Sequence, residues 1–344
     1  MDNMKIKIFI TLLVVSLWAS VNVYAAIADY HIVKKLPLGG EGGWDALTVD
    51  SSAQLLYLSR GTHVMVIDLA TDKLVGDIPD TPGVHGIALA PELNRGFISN
   101  GKSNTATIFD LKTLKVLGQV KTGDNPDAIL YDPSSKQVFI FNGRSNDVTV
   151  LNAASSVITG TVPLGGKPEF AVSDNNGKVL VNLEDTSEVV EIDCAKLALT
   201  RRFSIKPCEE PTGIAFDQEH KRIFSACHNK MMAILDAGTG QMISTVPIGE
   251  NVDGCDFDQG TGLAFSSNGE GTLTVVQETS PGKFEAIQTV PTQKGARTMA
   301  LDPKTHYIYL PTALFSETET QTLPNGKVRP AMIKGSFVIL VVGK

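Results

Sequence analysis

The sequence predicts an all-β fold, a seven-bladed β-propeller, and three observations carry that prediction. A short apolar motif recurs seven times, Gly and Pro punctuate the chain at close intervals, and no long stretch spaces apolar residues as an amphipathic helix does. The motif ends at Asp50, Pro91, Asp132, Asp174, Asp217, Asp258 and Asp302. Successive spacings are 41, 41, 42, 43, 41 and 44 residues, the period of a four-stranded propeller blade.

Each unit reads alike. The motif itself is the innermost strand, A, and it is rich in small residues (Ala46, Ala88, Ala128, Ala171, Ala215, Ala300), as convergence on a narrow axis requires. Strand B follows a turn, for example Gln137-Val138-Phe139-Ile140-Phe141, and a polar turn such as Asn142-Gly143 leads to strand C. Strand C ends in Asp68, Asp110, Asn152, Asp193 or Asp236, and Thr71, Thr113, Ser155 or Thr239 stands three residues on, an arrangement that caps a turn. Strand D then runs outward to Gly123, Gly165 or Gly249. The seventh unit has strands A, B and C but the chain ends without a D. An unclaimed strand near the N-terminus, Tyr30 to Leu38, is expected to complete the last blade and close the ring, because an unpaired edge is a liability.

Lys5 and Lys7 precede an apolar run that ends in Val23-Tyr24-Ala25-Ala26, the pattern of a secretory leader. The expectation is therefore a signal peptide over 1–25 and one propeller domain over 26–344, periplasmic or secreted, monomeric, with no membrane span after cleavage. The formal charge is −7, and removing Asp2, Lys5 and Lys7 makes it −8. That balance argues against nucleic acid as a partner.

The spaced strand A motif, the Asn-Gly turns, the Asp-x-x-Thr turns and segments such as Thr245-Val246-Pro247-Ile248-Gly249 resemble those of the YVTN-repeat, YncE-like propellers. The resemblance covers residues 30–344. It implies a periplasmic or surface protein, often one without an assigned activity. Nucleic-acid binding, attached to one branch of that family, gains little support from an acidic chain.

Counting back five residues from each motif end gives the residues that open strand A: Asp45, Gly86, Asp127, Glu169, Thr212, Asp253 and Arg297. His85 stands one residue earlier. The B–C turns add Arg60, Lys102, Arg144, Glu184 and His228 to the same face. The sequence thus predicts a ligand-binding funnel of Asp45, His85, Asp127, Glu169, Asp253 and Arg297 for a small polar ligand, a cation or a protein partner. Propeller channels are wet, and the same groups would also arise as plain solvated side chains. An enzymatic alternative, a propeller lactonase or hydrolase, would use His85, Glu169, His228 and Arg297 for proton transfer and oxyanion support. There is no Gly-x-Ser-x-Gly elbow, His-x-x-x-His or Cys-x-x-Cys spacing, no repeated Trp signature of quinone chemistry, and no cofactor is expected.

Of four cysteines, Cys208 and Cys227 fall at the same end of the fifth sheet and are the expected disulfide. Cys194 and Cys255 are expected to be free, Cys255 buried in an inner strand. The segment 311–335 is far longer than the other B–C turns, with a turn expected at Pro324-Asn325-Gly326-Lys327; it either overhangs the funnel as a lid or docking loop or is simply disordered.

Overall fold

The structure, a computed structural model, describes residues 29–322, 326 and 328–344; the leader expected over 1–25 lies outside them, as does most of the turn expected at 324–327. Seven four-stranded antiparallel sheets follow one another in chain order around a ring. Blade 1 comprises Leu47–Asp50, Leu55–Arg60, His63–Asp68 and Lys73–Ile78. Blades 2 to 6 repeat this pattern, with inner strands Val84–Ala90, Pro126–Asp132, Pro168–Ser173, Pro211–Asp217 and Val252–Asp258.

Blade 7 draws on both chain ends. Its order from the axis outward is Ala300–Leu301, Ile308–Thr312, Val338–Gly343 and His31–Pro37. The outermost strand runs antiparallel to the last strand of the chain, from His31 opposite Gly343 to Pro37 opposite Val338. Tyr30 and Leu36 are buried there, and Gln288 of blade 6 bonds both the N–H and the carbonyl of Tyr30.

The apolar residues of strands B and C divide into seven clusters, each shared by two neighbouring blades. Leu180 and Phe203 of blade 4 meet Phe216 and Ile223 of blade 5, for instance, and Phe265 of blade 6 meets Leu310 and Leu340 of blade 7. No single core exists; the ring holds because every interface buries a row of large side chains, at about 25 cal/mol per Å² of apolar surface.

Polar turns are built by the carboxylates and the Asn that end the strands. Asp68 Oδ1 accepts the N–H groups of Ala70 and Thr71, Asp110 those of Lys112 and Thr113, and Asn152 those of Ala154 and Ser155. At the inner strands Asp132, Asp217, Asp258 and Asp302 are buried and cap the A–B turns in the same way. The motif's recurrent Asp is thus a turn cap, and His220 and His306 are held by Asp217 and Asp258 at that opposite end of the ring.

Arg60 departs from expectation. It is 1% exposed and does not face the funnel. Its guanidinium donates to the carbonyls of Gly42 (2.8 Å), Glu41 (3.1 Å) and Gly39 (3.3 Å), and lies 3.8 Å from the centre of the Phe337 ring. A glycine-rich loop offers bare carbonyls to a planar fork, so Arg60 clamps the segment that leads from the closing strand into blade 1. Burial without a carboxylate partner draws its pKa down to about 10.

The long B–C connection of blade 7 is also not a plain loop. Phe315–Thr322 and Val328–Met332 pair as a two-stranded hairpin of their own. Cys208 and Cys227 are bonded, and Cys194 is free and buried. Cys255 is free but only partly buried, because its strand lines the axial channel.

Candidate functional site: the axial funnel

The inner strands open at one mouth of the channel, and a local irregularity aims their first residues inward. Between strands A and B the register slips once in blades 2 to 6, leaving His85 and Gly86 opposite Ser99 alone, and Asp127 and Ala128 opposite Phe141 alone. Glu169, Thr212 and Asp253 sit at the equivalent bulges. A bulge frees a residue from the ladder and re-aims its side chain. Polar residues on strand B repair the ladder. Ser59 Oγ accepts the Asp45 N–H at 2.9 Å, Ser99 Oγ the Gly86 N–H at 2.8 Å, and Asn182 donates to the carbonyls of Thr212 and Gly213.

With Asp45 and Arg297, which open strand A of blades 1 and 7, these side chains form a chain of ionic contacts around the mouth. Asp253 of blade 6 binds Arg297 of blade 7 at 2.7 Å, and Arg297 reaches Asp45 of blade 1 at 3.8 Å. Asp45 holds His85 Nδ1 of blade 2 at 2.6 Å, and His85 lies 3.4 Å from Asp127 of blade 3. Blade 4 adds Glu169, paired with Lys167 at 2.7 Å, and Lys167 also pairs with Glu184. Blade 5 interrupts the circuit with Thr212, whose hydroxyl is shared between the Ala226 and Val252 carbonyls.

Crowding of like charge in a recessed mouth governs protonation. Burial pushes Asp253 up to about 6, with Arg297 pulling the other way and Asp45 and Asp127 adding to the rise. Burial and then the Asp127 charge lift Glu169 to about 8 in spite of Lys167. Burial likewise raises Asp127. Burial disfavours the charged form of His85, but its bond to Asp45 and the charges of Asp127, Asp45 and Glu169 outweigh that and bring it to about 9. At neutral pH the imidazole is a cation and Glu169 holds its proton, which relieves the repulsion among five carboxylates.

Asp45, His85 and Asp127 each present a donor atom within 4.8 Å of the other two, a spacing that suits one small cation when the imidazole is neutral. Below the mouth the axis narrows to a channel of about 170 Å³ walled by Ala46, Ala128, Ala171, Gly213 and Gly254. The closeness of the inner strands there is strict: a Cβ on Gly213 would stand 2.5 Å from the Cys255 nitrogen.

Five of the six predicted funnel residues are in one connected group: Asp45, His85, Asp127, Asp253 and Arg297. Glu169 joins them through the field it shares with Asp127. Of the residues of the enzymatic alternative, His85, Glu169 and Arg297 lie at the mouth within one another's fields. His228 stands at the rim 3.4 Å from Glu210, and among the described residues it has no ionic contact with Glu169. Sequence reasoning missed Lys167, whose position two residues before Glu169 in Lys167-Pro168-Glu169 was the available signal, and the bulge-filling Ser59, Ser99 and Asn182, which stand out as polar residues in apolar strands.

No family model and no curated protein matches the sequence. Solved structures do. The chain is similar to hydrazine synthase of Kuenenia stuttgartiensis at 15% identity and a TM-score of 0.68, over 87% of this chain and 96% of that one. It is also similar to the U3-55K structure at 10% identity and a TM-score of 0.75, over 89% and 97% of the two chains. The chain is a seven-bladed β-propeller. At such identities the likeness concerns the fold alone.

Proposed function

We propose that this protein is an exported binding protein of the cell envelope, periplasmic or secreted, that holds a small polar ligand at the axial funnel. The observation that carries the reading is the run of ionic contacts from Asp253 through Arg297, Asp45 and His85 to Asp127, contributed by five blades at one mouth. Bulges at the start of strand A free His85, Asp127 and Asp253 from the ladder, and Asp45 and Arg297 open the same strand in blades 1 and 7, so the five side chains converge on one mouth. The resemblance of the repeats to YncE-like proteins supports this reading, as do the basic, apolar and small-residue pattern at the N-terminus and the Cys208–Cys227 bond.

Calorimetry with calcium, neutral mono- and disaccharides and short peptides tests it. One ligand of the panel is expected to bind one-to-one and to lose at least tenfold in affinity in Asp127→Asn. Silence across the panel, or binding indifferent to Asp127, refutes the funnel as the site.

A second reading, a lactonase or hydrolase, is favoured by one observation: Glu169, lifted to about 8, keeps the proton that a general acid must deliver at neutral pH. Turnover of a lactone panel that is lost in both Glu169→Gln and Arg297→Ala would establish it, and absence of turnover would dismiss it.

A further inference from the structure

Beside the carboxylate-rich mouth lies a second concavity of opposite character. The hairpin of Phe315–Thr322 and Val328–Met332 leans over the entrance between blades 1, 6 and 7 and roofs a cavity of about 330 Å³. Its apolar wall is made by Trp44, Phe315 and Met332. Trp44 is braced from behind by Phe337, with ring centres 5.1 Å apart, and its ring centre is 6.2 Å from that of Phe315. Phe315 in turn lies against Gly295, where a Cβ would come within 2.8 Å of its ring; the glycine is what lets the aromatic wall approach the blade.

The charged groups on this wall are all cations: Lys294, Arg297 and Arg329. Among the described residues no carboxylate lines the cavity. Arg297 is already engaged by Asp253, but among the described residues Lys294 and Arg329 form no ion pair. Burial, and then the neighbouring Arg297 charge, hold Arg329 below the usual guanidinium range. Arg329 and Arg297 repel one another, and Lys294 adds a third positive charge to the same wall. They are stabilised together by an anion, and a guanidinium takes a carboxylate in a bidentate grip. In a chain of net charge −7, gathering cations at one cavity is a local feature that bulk composition does not require.

We infer that the cavity under the blade 7 hairpin is a binding site for a planar aromatic carboxylate, its ring against Trp44 and Phe315 and its carboxylate on Arg329 and Lys294. The inference goes beyond the funnel reading, since it names a second site on the same face of the ring, with its own lining and its own ligand class. The volume lies at the lower end of the range of small-molecule sites, which suits a bicyclic acid and leaves little room for more. An amine of the same shape meets the wrong charge.

The test is calorimetric titration of the full chain with 2-naphthoate and with 2-naphthylmethylamine, its counterpart of opposite charge. The naphthoate is expected to bind one-to-one, to weaken about tenfold in Arg329→Gln, and to weaken further when Lys294→Gln is added. The amine should bind at least tenfold more weakly than the acid. Arg329 belongs to the hairpin and to none of the blade sheets, so its replacement leaves the ring intact, and an unchanged thermal midpoint verifies that. Equal affinity for acid and amine, no heat with the acid, or indifference to both substitutions overturns the inference. Loss of the naphthoate site alongside an Asp127-dependent ligand in the earlier panel sinks this inference and leaves the funnel reading standing. Naphthoate binding through Arg329 with a silent panel does the reverse.

Discussion

Replacing Arg297 by methionine removes the cation between Asp253 and Asp45 while keeping most of the side-chain volume. Asp253 is 10% exposed and already titrates near 6, above its ordinary 3.8. A carboxyl raised in the folded state stabilises when protonated. Its contribution is therefore fully present below the ordinary value and is lost as pH rises through about 6. Without the guanidinium the carboxylate is harder still to form, so the loss deepens at high pH and is nearly absent at low pH. Each pH unit by which the carboxyl is lifted further costs about 1.4 kcal/mol above both values. Arg297 is half exposed, so solvent screens the pair, and the expected net cost at pH 8.5 is about 1–2 kcal/mol. Urea unfolding of both proteins at pH 5 and 8.5 reads this directly: Arg297→Met should differ from the parent by under about 0.5 kcal/mol at pH 5 and by about 1–2 kcal/mol at pH 8.5. A cost independent of pH would show that Arg297 acts through packing, and the account of the funnel as an electrostatic circuit would fail.

Three other outcomes follow from the geometry. Arg60→Ala, which loses three carbonyl contacts and the Phe337 face, should cost about 3 kcal/mol in urea unfolding, with Arg60→Lys recovering less than half because an ammonium lacks the fork. Reducing the Cys208–Cys227 bond, whose loop spans 19 residues, should lower stability by about 3 kcal/mol, read as a shift of the denaturation midpoint on adding dithiothreitol. Gly213→Ala should cost about 2–3 kcal/mol or prevent folding, since the new methyl meets the backbone of the adjacent blade; a neutral result would mean that the inner strands can spread.

The blade count was legible because the strand A motif is short, apolar and evenly spaced, and because the residues that cap its turns recur with it. The funnel residues were legible by position, counted from the cap. Their pairing was not. Whether Asp45 meets His85 or Arg297 depends on the bulges and on blade 7 standing beside blade 1, a contact between residues 252 positions apart in the case of Asp45 and Arg297. The bulge also turned His85, rather than the aligned Gly86, toward the mouth. Arg60 was misplaced because its position fixes only the strand end, while a long side chain follows the nearest bare carbonyls. The hairpin in 311–335 escaped notice because its strands are polar, with apolar contacts only near its base at Phe315 and Met332. A strand that leaves the body of the protein has no buried face to imprint period-two patterning.

The pairing of His31–Pro37 with Val338–Gly343 makes blade 7 depend on two strands separated in sequence by all the other blades. The His31–Pro37 strand has no sheet edge to dock on until Val338–Gly343 is in place. Until then six blades stand as an open arc with two raw edges, a form that invites pairing with a second molecule. Folding of this protein should therefore be slow and sensitive to loss of the Val338–Gly343 strand, against which His31–Pro37 docks.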